Sequence, residues 1–192
     1  PTPVAPSTPV VVEGSGQNIY NVTLPGGLVT VNGTYRGQGN FVVWFQNTKG
    51  DDLDLLMNSI GTGSGSTAFQ VPAAGEYVVS VNIGSGSYRL EFVPIGPAER
   101  ALAVPLPQTF TGQGNQNTPL FLAKPGALIV KGKHDGERNF IVYALDSTGK
   151  QIGLAANAIG VVETSQVVRI LQQGVYVLTV QGDGEWEIEL TQ

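Results

Sequence analysis

Large apolar residues recur at every second position through most of this chain, and glycine or proline interrupts them at intervals of roughly eight to twelve residues. Tyr77, Val79 and Val81 alternate with Val78, Ser80 and Asn82, and beyond Gly84-Ser85-Gly86 the residues Tyr88, Leu90 and Phe92 alternate with Arg89 and Glu91. A period of two sends successive side chains to opposite faces of a strand, so both runs predict half-buried β-strands. The Gly-x-Gly pair between them predicts a tight turn that joins the runs into an antiparallel hairpin. Further strands are predicted near 9–13, 19–24, 27–32, 40–46, 52–57 and 66–71. Residues 53–60 and 154–159 also admit a helix, but no segment sustains a 3.6-residue period, and a strand followed by a turn fits them better.

The pattern occurs twice. Phe41, Gly50, Leu55, Asn58, Ile60, Gly75 and Tyr77 match Phe140, Gly149, Leu154, Asn157, Ile159, Gly174 and Tyr176, each pair 99 positions apart. Pro9, Gly14 and Gly16 match Pro107, Gly112 and Gly114 at 98, as do Gly84, Gly86, Tyr88, Leu90 and Phe92 with Gly182, Gly184, Trp186, Ile188 and Leu190. The one-residue slips fall between elements, where loops absorb insertions. A period this long exceeds the solenoid range of about 20 to 50 residues, so each copy is expected to have its own core. The expected organisation is a proline-rich tether at 1–8, a β-sandwich module at 9–93, a linker at 94–105 and a second sandwich at 106–192. The fold class is all-β: two tandem antiparallel jelly-roll-like sandwiches of about eight short strands each.

Hydrophobic residues make up 41% of the chain and the net charge is only -5, a balance that favours packed cores over disorder. Acidic residues outnumber basic ones by 15 to 10 and no Lys/Arg run occurs, so the electrostatic footprint for nucleic acid is missing. Apolar runs break well short of the roughly 20 residues of a membrane helix. With no cysteine, disulfides, thiolate metal sites and cysteine nucleophiles are excluded. The opening PTPVAPSTPV reads as an extended tether of the kind that follows a signal peptide or lipid anchor, which makes export an expectation.

The segments NVTLPGGLVTV, FVVWFQNTKGDDLDLL and VPAAGEYVVSV followed by GSGSYRLEF, with FLAKPGALIV, FIVYALDSTGKQIGLA, LQQGVYVLTV and GDGEWEIEL in the second copy, carry a resemblance. Each module resembles the bacterial pre-peptidase C-terminal (PPC) domain, a jelly-roll-like β-sandwich that is also similar to carbohydrate-binding modules. The resemblance implies an accessory role in an exported bacterial protein, whether binding, targeting or spacing. It implies a protein or polysaccharide of the cell envelope as partner, and an extracellular, periplasmic or cell-surface location. That family often has an Asp-rich segment before the central strand. Gly39-Asn40-Phe41 and Arg138-Asn139-Phe140 stand there instead, which puts any cation site tied to those aspartates in doubt.

No cofactor is expected, and Ca²⁺ is the one ion to weigh. Asp51, Asp52 and Asp54 place three carboxylates within four residues, a possible set of oxygen ligands, although Lys150-Gln151-Ile152-Gly153 occupies the matching stretch and a solvated turn accounts for them more simply. His134 beside Asp135 has the residue types of a general base. No second histidine, GxSxG or HExxH completes a catalytic set, so His134 is expected in a surface loop that matches Tyr35-Arg36-Gly37-Gln38. The glycine-rich stretches at 14–16, 61–65 and 112–114 precede no helix and predict turns rather than phosphate loops. Glu185, Glu187 and Glu189 share one face of a strand, expected to guard a sheet edge or to meet a basic partner.

Trp44 and Tyr143 lie in the opposite phase to Phe41, Val43, Phe140 and Val142, and so on the face away from the core. If exposed, they mark a binding face for a sugar or protein; if covered, they are packing. Together with Tyr35 and His134 they are the ligand-binding candidates. The expected function is that of a non-catalytic binding or structural module, with carbohydrate binding through exposed aromatics as the alternative and accessory domains of a secreted hydrolase as a second one. Uncovered strand edges also leave self-association open.

Overall fold

The structure, a computed structural model, describes residues 5–192; the first four residues of the predicted tether lie outside them. Among the described residues, apart from one single-turn helix, α1 (Pro97–Arg100), every regular element is a strand. The chain divides into two compact units, one at Ser7–Ile95 and the other running from Gly96 to Gln192.

The first unit has six strands: β1 (Val10–Ser15), β2 (Asn18–Leu24), β3 (Gly27–Gln46), β4 (Asp52–Ile60), β5 (Gly63–Val71) and β6 (Gly75–Pro94). Strands β3 and β6, 20 residues each, run antiparallel to one another and pass together from one sheet into the other. In the first sheet the early part of β3 pairs with β5 and with the late part of β6, and β1 lies on the far side of β6. In the second sheet the late part of β3 pairs with β4 and with the early part of β6, and β2 lies beyond. The inward residues of both sheets meet in one core, where Phe41, Phe45, Phe69 and Phe92 are fully buried. Burying a phenylalanine side chain contributes about 1.5–3 kcal/mol relative to leaving it in water.

The predicted hairpin does not form. The two alternating runs of β6 never pair with each other; residues 75–81 face β2 and late β3, whereas residues 85–94 face early β3 and β1. The Gly-x-Gly pair is where β6 crosses between sheets beside the matching crossing of β3. A Cβ on Gly37 would overlap the carbonyl oxygen of Ser85, and one on Gly86 would overlap that of Arg36, so the two backbones approach as only glycine allows. Tyr77, Val79, Val81, Tyr88, Leu90 and Phe92 do point into one core, as the alternation requires, but from two facing sheets.

The second unit has β7 (Val104–Pro105), β8 (Gln108–Gln113), β9 (Gln116–Asn117), β10 (Phe121–Ala123), β11 (Gly126–His134), β12 (Asn139–Asp146), β13 (Gln151–Ile159), β14 (Val162–Ile170), β15 (Gly174–Gln181) and β16 (Glu185–Thr191). One sheet runs β14-β11-β16-β8; the other runs β13-β12-β15-β10-β7, with β9 also on β15. Here the crossing segments 135–138 and 182–184 lie outside the strands, so four strands stand where the first unit has two continuous ones. α1 and β7 occupy half of the stretch expected as linker, and Val104 and Leu106 pack onto the second core.

Residues 53–60 and 154–159 are strand in both units. A β-bulge explains why a helix was admissible there. Val43 pairs with Met57 and Trp44 with Leu55, which leaves Leu56 as the extra residue; Val142 pairs with Ala156 and Tyr143 with Leu154, which leaves Ala155. Leu56-Met57 and Ala155-Ala156 are therefore buried in succession, and the period of two fails locally.

Candidate functional site

Trp44 and Tyr143 each follow the bulge, half-buried on the face opposite the core residues Val43 and Val142. Across the first unit a transverse row runs Ile19, Ser80, Trp44, Leu55, one residue from each strand; in the second it runs Asn117, Thr179, Tyr143, Leu154. Exposed Asn58 and Asn157 lie one step along, opposite Val42 and Ile141. These neighbours were not legible beforehand, because cross-strand register follows from pairing rather than from spacing along the chain.

Tyr35 and His134, the other two aromatic candidates, are core residues. Tyr35 stacks on Phe41 at a centroid distance of 4.4 Å, and His134 stacks on Phe140 at 4.8 Å. The surface-loop expectation for His134 is thus corrected: its side chain has no exposed area. It is the last residue of β11 in an inward phase, and the chain turns away only after it. His134 Nδ1 lies 3.0 Å from the Gly160 carbonyl, which can only accept, so Nδ1 carries the proton and Nε2 accepts the Gly184 N–H at 3.4 Å. Asp183 Oδ1 stands 3.5 Å from Nε2.

The loops around this ring are tied by two carboxylates. Asp183 accepts from the amides of Glu137 and Arg138 at 3.1–3.2 Å, and Asp135 accepts from the amide of Glu185 at 2.6 Å. The amide of Arg138, with that of Glu137 behind it, holds the Asp183 carboxyl below the usual carboxylate value. In the first unit the neighbouring buried aromatic is Tyr88. Tyr20 donates its hydroxyl proton to the Glu13 carbonyl, so Tyr88 donates to Tyr20 at 2.8 Å. Burial above all, and then that bond to Tyr20, push the Tyr88 phenol up to about 12.

The three aspartates considered for Ca²⁺ go separate ways. Asp51 accepts from the Asn47 side-chain amide at 2.8 Å and Asp52 from that of Gln46 at 2.7 Å. Desolvation raises the Asp54 carboxyl, which disfavours its charged form. Among the described residues no three or more His, Asp or Glu side chains gather in a way that could hold a metal ion.

Two further expectations change. Glu185, Glu187 and Glu189 lie on β16, which has β11 on one side and β8 on the other, so they guard no edge. Lys133 stands 3.7 Å from Glu187, and Lys131 stands 3.3 Å from Glu189. Gly14 and Gly112 are strand residues rather than turns; a Cβ on Gly14 would overlap the Tyr20 hydroxyl, and one on Gly112 would overlap the Trp186 ring.

No family model matches the chain, and no curated protein matches it. Among solved structures, the M60 catalytic domain with the CBM51-1 and CBM51-2 domains from Clostridium perfringens ZmpB aligns over 94% of this chain at 7% identity and a TM-score of 0.35; this chain spans about a third of that one, 34%. The PBSX exported protein XepA aligns over 99% of this chain and 89% of its own, at 8% identity and a TM-score of 0.31. The CBM22-1–CBM22-2 tandem domain of Paenibacillus barcinonensis Xyn10C aligns over 96% of this chain and 94% of its own, at 8% identity and a TM-score of 0.31. No helix among the described residues is long and apolar enough to cross a membrane.

Proposed function

We propose that the chain is a non-catalytic binding module of an exported bacterial protein, and that it holds an envelope glycan against the sheet faces that carry Trp44 and Tyr143. One observation carries this: both units place an aromatic ring, a leucine and an exposed asparagine at corresponding register positions on the face away from the core, just after a bulge. A half-buried ring offers an apolar face for the C–H side of a sugar, and a neighbouring amide offers a donor and an acceptor for its hydroxyls. Bulges re-aim side chains and are enriched beside functional sites.

The test is binding of the full chain to envelope polysaccharide fractions and to a glycan array. Trp44→Ala and Tyr143→Ala each weaken binding by about tenfold or more, as expected for a central aromatic anchor, while the melting temperature of each variant stays close to that of the parent. Undiminished binding in the double variant overturns the proposal. A second reading, a protein partner at the same face, is favoured by Ile19, which ends the Trp44 row and is 71% exposed. A blank glycan array, together with Trp44-dependent binding to an envelope protein, decides for it.

A further inference from the structure

The charges of the second unit are unevenly distributed. At the His134 end Asp135, Glu137, Asp183 and Glu185 lie in or beside the loops together with Lys133 and Arg138, whereas Lys150 and Arg169 lie at the opposite end, near the turn at 146–150 and the loop at 171–173. At that end a hollow of about 390 Å³ is lined by Lys150, Arg169, Gln151, Gln172, Gln173 and Leu171, with Tyr176 also in its wall. Asp146, the one carboxylate in the lining, is engaged locally: its Oδ1 accepts from the Thr148 amide at 2.8 Å, the Thr148 hydroxyl at 2.6 Å and the Lys150 amide at 3.2 Å. Among the described residues neither the Lys150 nor the Arg169 side chain has an ion-pair partner.

We infer that this hollow binds an anionic sugar unit, its oxyanion held by Lys150 and Arg169 and its hydroxyls by the three glutamine amides. A guanidinium and an ammonium lining one hollow suit a carboxylate or phosphate. Neutral amides that both donate and accept suit hydroxyl groups, and the apolar Leu171, 70% exposed, borders the hollow. The first unit supplies a contrast within the same chain. Ninety-nine positions earlier, Asp51 stands for Lys150 and Gln70 for Arg169, and the Asp51 carboxylate is already bonded to Asn47. The lining of the hollow shares no residue with the Trp44 and Tyr143 rows.

The test follows backbone amide NMR shifts of the full chain during titration with a glucuronate disaccharide, glucose 6-phosphate, a neutral glucose disaccharide and an acidic tetrapeptide. The expected result is saturable shifts at 146–152 and 169–176, with none at 47–53 or 70–77, for the glucuronate, the sugar phosphate or both; the stronger of the two identifies the preferred oxyanion. Lys150→Gln with Arg169→Gln lowers that affinity by about tenfold or more without changing the melting temperature, since both side chains are exposed. The Trp44→Ala, Tyr143→Ala double variant leaves it intact, which separates failure here from failure of the proposed function. Absence of shifts, equal binding of the neutral sugar or the peptide, or shifts that survive the double glutamine variant would each overturn the inference.

Discussion

Tyr35 and His134 occupy corresponding seats, each an inward residue at a crossing between sheets and each stacked on the phenylalanine that opens the next inward run. One is a phenol and the other an imidazole, so the seat selects a flat ring rather than one chemistry. The histidine found a carbonyl and an amide to satisfy its two nitrogens, which is how a buried polar ring avoids a desolvation cost. Beside each seat a second aromatic ring, Tyr88 or Trp186, lies over a strand glycine. Gly112→Ala is expected to destabilise the second unit by about 1–3 kcal/mol in urea unfolding, because the added methyl meets the Trp186 ring and Trp186 is held by its bond to the Gly114 carbonyl. Gly75→Ala, where a methyl meets nothing within 4 Å, is the control and should change stability far less. Equal effects would show that backbone freedom, not space, keeps glycine at 112.

The two units differ most in how their long strands cross from sheet to sheet. In the first unit β3 and β6 stay continuous, their backbones in close approach at Gly37 and Gly86. In the second, the corresponding segments leave strand geometry and Asp135 and Asp183 bind the freed amides instead. Asp183 titrates below the usual value of 3.8, so its contribution to stability is fully present above that value and is lost as pH falls through the lowered one. Asp183→Asn should therefore lower the melting temperature at pH 7, and the gap to the parent should close as the pH falls below the ordinary carboxylate range. A gap that stays constant down to pH 3 would mean that the carboxylate charge is not what ties the loops. The alternation in GEYVVSVNIGSGSYRLEF was legible as two inward runs, yet the same pattern serves a hairpin or a sheet crossing. Only the partner strands distinguish them.

At the scale of the whole chain, each unit has a core of its own, the first drawn from Val12 to Phe92 and the second from Phe110 to Leu190. Residues 7–95 expressed alone are expected to unfold in one cooperative transition, followed by the fluorescence of Trp44; a non-cooperative, molten profile would show that this core depends on the rest of the chain. Charge is distributed just as unevenly. A net value of -5 conceals an end of the second unit where two cations face a hollow, and no count along the chain brings Lys150 and Arg169 together.

The linear pattern by itself determined that the fold is all-β, which residues of the alternating runs face the core, and which positions correspond 99 apart, because side-chain alternation and turn chemistry are local properties. Tertiary structure decided which runs are hydrogen-bonded neighbours, that His134 lies inside, that the Asp51 to Asp54 carboxylates do not converge, and where unpaired cations collect. Those depend on pairing between residues tens of positions apart, and a period of two is the same whichever strand lies alongside.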